Sequence, residues 1–240
     1  MAKVKYGEAL GDFQVIPMFF NMDTLDLGRH TRRLAIFTDT ENGYSVEFHG
    51  TKLQTKHGFL SGGTVGHIEF LDPQGNSMLD IDGRFSVKSL AKAADKDGFS
   101  GLLAKALGDD DKLLGSTHSD YMIAGAGNDN LQGGAGDDWL IGEHGNDRLN
   151  GGLGNDQFFC GSGSDKDVIV DFDPSTWNPD DPEHSEDLHG QGHQDLIRAS
   201  GTYTLVQSGA DTIVNFGDGD SVRLLNVDKA LIDDSDFLLF

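Results

Sequence analysis

Seven consecutive nine-residue units run from Ala106 to Val168, and every one carries aspartate at its sixth place. Asp111, Asp120, Asp129, Asp138, Asp147, Asp156 and Asp165 mark that position, and Leu113, Met122, Leu131, Leu140, Leu149 and Phe158 the eighth. An apolar residue every nine positions suits neither the 3.6-residue period of a helix nor the two-residue period of a long strand. It suits a chain that turns at each Gly/Asp segment and then runs straight for about three residues, the fixed-period pattern of a stacked β-solenoid. Two units complete one coil, so units n and n+2 lie over one another. Asp111, Asp129, Asp147 and Asp165 are then expected along one edge, with Asp120, Asp138 and Asp156 along the other. The eighth residues point inward and stack at the ~4.8 Å spacing of neighbouring strands. A flexible Gly/Asp-rich linker is the rival reading, but a linker has no reason to keep aspartate and an apolar residue in phase.

The clearest unit, Gly133 to Ile141, reads Gly-Gly-Ala-Gly-Asp-Asp-Trp-Leu-Ile and fits the pattern G-G-x-G-x-D-x-U-x. With the run Asp167 to Phe172 behind the repeats, the stretch Gly209 to Leu224 and the closing Asp236-Phe-Leu-Leu-Phe, the chain resembles the secreted RTX (repeats-in-toxin) calcium-binding proteins of Gram-negative bacteria. The likeness is densest over 106–172. The segment Leu60 to Val65 and the helical pattern after Gly83 also resemble a domain often placed before such repeats.

The resemblance implies a mostly all-β chain: a parallel β-roll flanked by an N-terminal β-rich domain with two short helices and by a C-terminal β cap. It implies several calcium ions, held by the seven aspartates and by the turn carbonyls of Gly127, Gly133, Gly134, Gly136, Gly145, Gly151, Gly152, Gly154 and Gly163. It also implies export by a type I (ATP-binding-cassette) exporter that reads an uncleaved C-terminal signal. The chemistry is consistent with this. Calcium takes six to eight oxygen ligands at about 2.3–2.6 Å, and glycine lets turn carbonyls converge on an ion. Carboxylates stacked at this spacing repel unless a cation lies between them, so folding of 106–172 is expected to need the ion. Four units depart from the consensus. The first has a single glycine, the second has His118 in place of the third glycine, the fifth has Glu143 in place of a glycine, and the last has Asp167 at its inward place. Ion sites at Asp111, Asp120 and Asp165 are therefore expected to be weaker than the central ones, as suits units that cap a stack.

The expected organisation is a domain over 1–105, the roll over 106–172, and an acidic loop, cap and export signal over 173–240. Charge follows those divisions. Residues 1–105 hold 13 acidic and 12 basic side chains, 106–168 hold 12 and 3, and 169–240 hold 15 and 3, giving −22 for the chain. Binding to nucleic acid or an anionic membrane would need a basic surface, which this composition does not supply. Cys160 is the single cysteine, so no intramolecular disulfide forms. No run reaches the roughly 18 apolar residues of a membrane span. Val15 to Phe20 is too short for the core of a cleavable signal peptide, so the expected location is extracellular or at the cell surface by the other route.

Within 1–105, Leu34–Thr38, Tyr44–Phe48, Thr64–Leu71 and Ser77–Ile81 read as strands separated by turn signals, and Ser86–Ala94 and Phe99–Leu107 as short helices. Asp173 to His193 is acidic, has three prolines and reads as a solvated loop. Its His184, His189 and His193 are irregularly spaced, so a polar loop is favoured over a transition-metal site. The chain has neither His-Glu-x-x-His nor a Gly-x-Ser-x-Gly elbow. His49, His57 and His67 lack the spacing for the first, and Cys160 stands where a repeat has glycine. A non-enzyme is expected: a calcium-stabilised structural or interaction module, with cell-surface or matrix polysaccharide as partner. The alternative is a small polysaccharide-acting hydrolase using carboxylates among Glu41, Glu47, Glu69, Asp80 and Asp82 of the N-terminal domain. A membrane-active toxin would need an apolar helical segment before the repeats, and the sequence has none.

Overall fold

Among the described residues before Ser86, alternating apolar and polar side chains produce antiparallel strands with one buried face. The computed structural model describes residues 3–6, 25–40, 43–56, 59–75, 77–92, 106–160, 165–174, 194–216 and 219–239. The chain divides into two units, Met1–Lys112 and Leu113–Phe240. In the first, β1 (Lys3–Tyr6), β2 (Leu25–His30), β3 (Leu34–Asp39), β4 (Ser45–Lys56), β5 (Phe59–Leu71) and β6 (Ser77–Ser86) pair in the order β1-β6-β5-β4-β3-β2. All these pairings are antiparallel. Val46, Phe48, Ile68, Phe70, Leu79 and Ile81 alternate onto one face and are buried, which is the period-two pattern of a half-buried sheet. The turn between β5 and β6 is set by Asp72, whose side chain accepts the Gln74 N–H at 2.9 Å while its carbonyl accepts that of Gly75.

Two strands here, β1 and β2, lie outside the runs expected from sequence, and β4, β5 and β6 extend beyond them. Residues 87–92 are helical, as expected. Most of the second expected helix, Phe99–Leu107, lies outside the described residues, as do Glu41, His57, Gly163, His184, His189 and His193.

The second unit is a β-roll. After β7 (Lys112–Leu114) come β8 (Tyr121–Ala126), β9 (Asn130–Ala135), β10 (Trp139–His144), β11 (Arg148–Leu153), β12 (Gln157–Phe159), β13 (Lys166–Ile169) and β14 (Leu196–Ala199). Successive strands alternate between two parallel sheets. In one, Met122, Leu140, Phe158, Ile197 and Phe237 are register partners in turn, the last contributed by β18 (Phe237–Leu239). In the other, Leu131, Leu149, Ile169 and Leu224 form the matching column. Every residue of the two columns except Phe237 has no exposed surface. Paired residues in the repeat region stand eighteen apart, Tyr121 with Trp139 and Asn130 with Arg148, so two nonapeptides make one coil. The far end is closed differently. β15 (Tyr203–Ser208), β16 (Asp211–Phe216) and β17 (Ser221–Leu224) form an antiparallel set, and β17 then pairs in parallel with β13. The β15 strand has only alternate partial burial and was not among the expected strands.

One expectation is corrected here. The nine-residue count places Asp165 on the edge beyond Asp147, but that place belongs to Asp167. Asp165 is exposed, with φ 58°, whereas Asp167 is buried and its Oδ1 accepts the Asp147 N–H. Two extra residues enter between Asp156 and β13, and Asp167-Val168-Ile169 restores the aspartate-x-apolar order with Ile169 in the core column.

Candidate metal centre

Each coil makes two turns, and each turn ends on a buried aspartate. Gly127 and Gly145 precede Asp129 and Asp147 on one edge, continued by Asp167. Gly136 and Gly154 precede Asp138 and Asp156 on the other, with Asp120 before them and Asp195 after. Gly133 and Gly134 lie near the end of β9, and Gly151 and Gly152 near the end of β11, leading into that second edge. Asp111 is likewise buried.

The aspartates form hydrogen-bonded ladders. The Asp120 N–H donates to Asp138 Oδ1 at 2.7 Å, that of Asp138 to Asp156 Oδ1 at 2.8 Å, and that of Asp156 to Asp195 Oδ1 at 2.9 Å. On the opposite edge the Asp129 N–H donates to Asp147 Oδ1 at 2.8 Å, and that of Asp147 to Asp167 Oδ1 at 2.9 Å. The backbone repeats the link in the other sense, since the Trp139 N–H donates to the Asp120 carbonyl, Arg148 to Asp129, Gln157 to Asp138 and Leu196 to Asp156. A one-residue offset anywhere would break both bonds.

The second oxygen of each central carboxylate faces the turn. Asp138 Oδ2 and Asp147 Oδ2 are buried and receive no hydrogen bond. Burying a charged oxygen unpaired is costly, so a cationic partner is the economical resolution. Glycine at the first repeat position keeps that space open. A Cβ on Gly133 would collide with Asp138 Oδ2, one on Gly142 with Asp147 Oδ2, and one on Gly151 with Asp156 Oδ2. At the second position Gly134 and Gly152 adopt φ of 116° and 102°, and Glu143 holds the same kind of left-handed backbone at φ 68° in the fifth unit. Asp195 is arranged otherwise. Both of its oxygens accept backbone N–H groups, from Asp156 and Asp173 at 2.9 Å each, so backbone rather than a cation completes its surroundings.

The electrostatics follow from burial. Asp138 is pushed up to about 9, Asp167 to about 8 and Asp156 to about 7, in each case chiefly because burial disfavours the charged form. The N–H that each accepts pulls the other way, and neighbouring aspartates push further up. Asp147 is raised for the same leading reason. A divalent cation bound by oxygen ligands would hold these groups ionised. Buried carboxylates, glycine-cleared space and two oxygens without donors fit calcium.

Three participants were absent from the expected set. Asp167 and Asp195 extend the ladders, and Asp171 accepts the N–H groups of Gly151 and Gly152 at 3.0 and 2.9 Å and the Asn150 side-chain amide at 2.6 Å. For Asp167 and Asp195 the signal is an aspartate-x-apolar triplet without its glycines, whereas Asp171, in Asp171-Phe172-Asp173, has no such triplet. The fifth repeat position adds an exposed ladder in which Asn128 Oδ1 accepts from the Asn146 backbone and Asp137 Oδ1 from that of Asn155. Cys160 is buried, which with nearby Asp167 and Asp147 pushes its thiol well above the usual range, the opposite of an activated nucleophile. Among the described residues no helix is long and apolar enough to cross a membrane.

A family model for the RTX calcium-binding nonapeptide repeat matches residues 105–131 and 123–158, in four copies. No curated protein matches the chain. Among solved structures, the chain is similar to the AlgE6R3 subunit of the Azotobacter vinelandii mannuronan C5-epimerase, with 26% identity and a TM-score of 0.40 over 55% of this chain and 78% of that one. The AlgE6R2 subunit of the same enzyme gives 26% identity and a TM-score of 0.37 over 55% and 88%. Extracellular lipase LipA from Serratia marcescens gives 14% identity and a TM-score of 0.40, over 92% of this chain but 31% of the lipase.

Proposed function

Since residues 105–158 are RTX calcium-binding nonapeptide repeats, we propose that this chain is an exported module that folds as it takes up calcium outside the cell and then acts as a structural or interaction domain. The observation that carries the reading is the pair of aspartate ladders, with Asp138 Oδ2 and Asp147 Oδ2 buried and without donors. The ions would be held by Asp111, Asp120, Asp129, Asp138, Asp147 and Asp156, with Asp167 in place of Asp165, together with the carbonyls of the turn glycines. The roll over 106–172 would be the calcium-dependent part, 1–105 the presenting domain, and 173–240 the cap and export address. An acidic chain in calcium-poor cytosol stays extended, because like charges oppose compaction and no ion offsets them. Calcium outside then adds stability by mass action and traps the fold. Far-UV circular dichroism during calcium titration tests the first half: a full β-signal in excess chelator would refute it. Deleting Leu231 to Phe240 in a host with a matching type I exporter tests the second, and undiminished export of the truncated chain would refute the C-terminal address.

A polysaccharide partner is favoured by one surface. Tyr121, Trp139 and Phe159 line the outer face of β8, β10 and β12, with ring centroids 5.7 and 5.4 Å apart in succession. The Arg198 guanidinium lies 4.7 Å from the Trp139 ring centroid. Aromatic platforms beside a hydrogen-bonding cation suit sugar rings, which present both C–H faces and hydroxyls. A glycan array on the calcium-loaded chain tests this, with Trp139→Ala expected to abolish any signal. The hydrolase alternative rests on Glu47, Glu69, Asp80 and Asp82, which share one sheet face; release of shortened sugars by array hits would favour it.

A further inference from the structure

Strands β4, β5 and β6 carry a second array of titratable groups, remote in sequence from the repeats. Register pairs Glu47 with Glu69 and Glu69 with Asp80 in one row, and His49 with His67 and His67 with Asp82 in the next. The alternate residues Phe48, Ile68 and Ile81 are buried, so the array occupies the face of the sheet opposite those core side chains. The imidazoles of His49 and His67 are 5.3 Å apart between centroids. One ligating atom from each of His49, His67 and Glu69 lies within 4.8 Å of the other two. Each ring also has its own carboxylate: Asp82 Oδ1 lies 2.8 Å from His67 Nδ1, and Glu47 Oε2 lies 3.1 Å from His49 Nε2.

We propose that His49, His67 and Glu69 form a binding site for a first-row divalent transition ion, with Asp82 as the positioning residue for His67. Two imidazole nitrogens and a carboxylate are a donor set that suits zinc and its neighbours, whereas calcium takes oxygen. A neutral imidazole carries one N–H. Asp82 accepts it at Nδ1, which leaves Nε2 and Asp80 Oδ1 as two acceptors 3.4 Å apart. That approach needs a cation between them or a second ring proton, and the adjoining His49 nitrogen and Glu69 oxygen favour the cation. The carboxylate at Nδ1 fixes the tautomer and the ring plane, the usual support for a metal-ligating histidine. His49 is 41% and His67 30% exposed at the side chain, so the site opens to solvent and leaves coordination positions for water or a substrate.

The site is tested on the full chain in excess calcium, which keeps the repeats saturated. Zinc is titrated calorimetrically, and cobalt replaces it for a visible absorption spectrum sensitive to nitrogen ligands. One zinc per chain is expected to bind with micromolar or tighter affinity. His67→Ala and His49→Ala should each weaken it at least about tenfold, and Asp82→Asn by roughly 10-fold or more, with calcium-induced circular dichroism unchanged in all three. Glu69→Gln, which keeps shape, should weaken zinc and shift the cobalt spectrum. The inference is overturned if the parent chain binds no zinc under these conditions. It is equally overturned if binding survives in the His49 and His67 variants and disappears when His184, His189 and His193 are replaced together. Neither result bears on calcium folding of the repeats.

Discussion

Leu140 has no exposed surface and is register partner to Met122 on one side and Phe158 on the other. Leu140→Ala removes three carbons from the middle of that column. At about 0.8 kcal/mol per buried methylene, the lost transfer free energy is about 2.4 kcal/mol. The unfilled space adds to this, which places the total at about 3–4 kcal/mol, within the ~2.7–5 kcal/mol seen for such truncations. A linear stack has only nearest-neighbour interfaces over which to spread the loss. If folding is coupled to calcium uptake as proposed, this becomes a measurable shift. If one ion is taken up per matched repeat copy, four in all, a tenfold rise in free calcium adds about 1.4 kcal/mol per ion, or about 5.5 kcal/mol. A loss of about 3.5 kcal/mol is then restored by roughly four times more calcium. The assay is a calcium titration followed by far-UV circular dichroism, with Leu153→Ala as the control because Leu153 is 42% exposed. The control should shift the midpoint little. Equal midpoints for the two variants would refute the reasoning, since a fully buried rung and a surface side chain cannot contribute alike.

Asp167→Ala should raise the calcium midpoint well beyond Asp165→Ala, because only Asp167 receives the Asp147 N–H; the reverse order would restore the unbroken nine-residue count. Asp138→Ala should likewise exceed Asp111→Ala, and equal shifts would show that closeness to the consensus does not track ligation. Gly133→Ala places a Cβ against Asp138 Oδ2 and the Gly151 carbonyl and should weaken calcium-induced folding severely. Gly201→Ala meets nothing within 4 Å and should cost only about 1–2 kcal/mol of left-handed backbone strain; similar losses would count against the steric account. The pH response should change sign with calcium. Asp138, Asp167 and Asp156 are raised in the fold from 3.8 to about 9, 8 and 7, so the folded state without calcium binds more protons than the unfolded one. Its stability should therefore rise as pH falls from about 9 toward 4, reaching its full gain below the unfolded value. In calcium, protons compete with the ion for the same oxygens, and the midpoint concentration should rise over that range. In excess chelator the chain should therefore gain β-signal on mild acidification, and no gain would contradict this.

The roll was readable because both of its requirements are local. Each turn needs glycine and aspartate within six residues, and each strand needs one inward side chain, so the sequence displays the coil directly. The same local count misplaced Asp165, since it lands nine residues after Asp156 by number although two residues have been added to the turn. The triplet Asp167-Val168-Ile169 held the better signal. Asp195 continues its ladder 39 residues after Asp156, and no fixed period reaches across such an insertion. In the N-terminal sheet the limit is of another kind. His49 and His67 meet only because β4 and β5 pair in one register across a hairpin with bulges at Gly50 and Gln54, and register between strands has no signature as short as a nonapeptide.

The aspartate ladders also give the stack a direction. Every backbone N–H in them points to a carboxylate one coil nearer the C-terminus, and Asp195 ends its column with both oxygens already satisfied by backbone. The two ends are therefore chemically unlike: toward the N-terminus the ladder N–H groups already have their acceptors and the end presents carboxylates, whereas the other end is closed by a finished acceptor. Truncation from the C-terminal side strips the Asp156 N–H of its acceptor, whereas truncation from the N-terminal side leaves carboxylate oxygens that water can solvate. Order is thus expected to spread from the finished end backward along the chain, as a zip closes from its fixed stop.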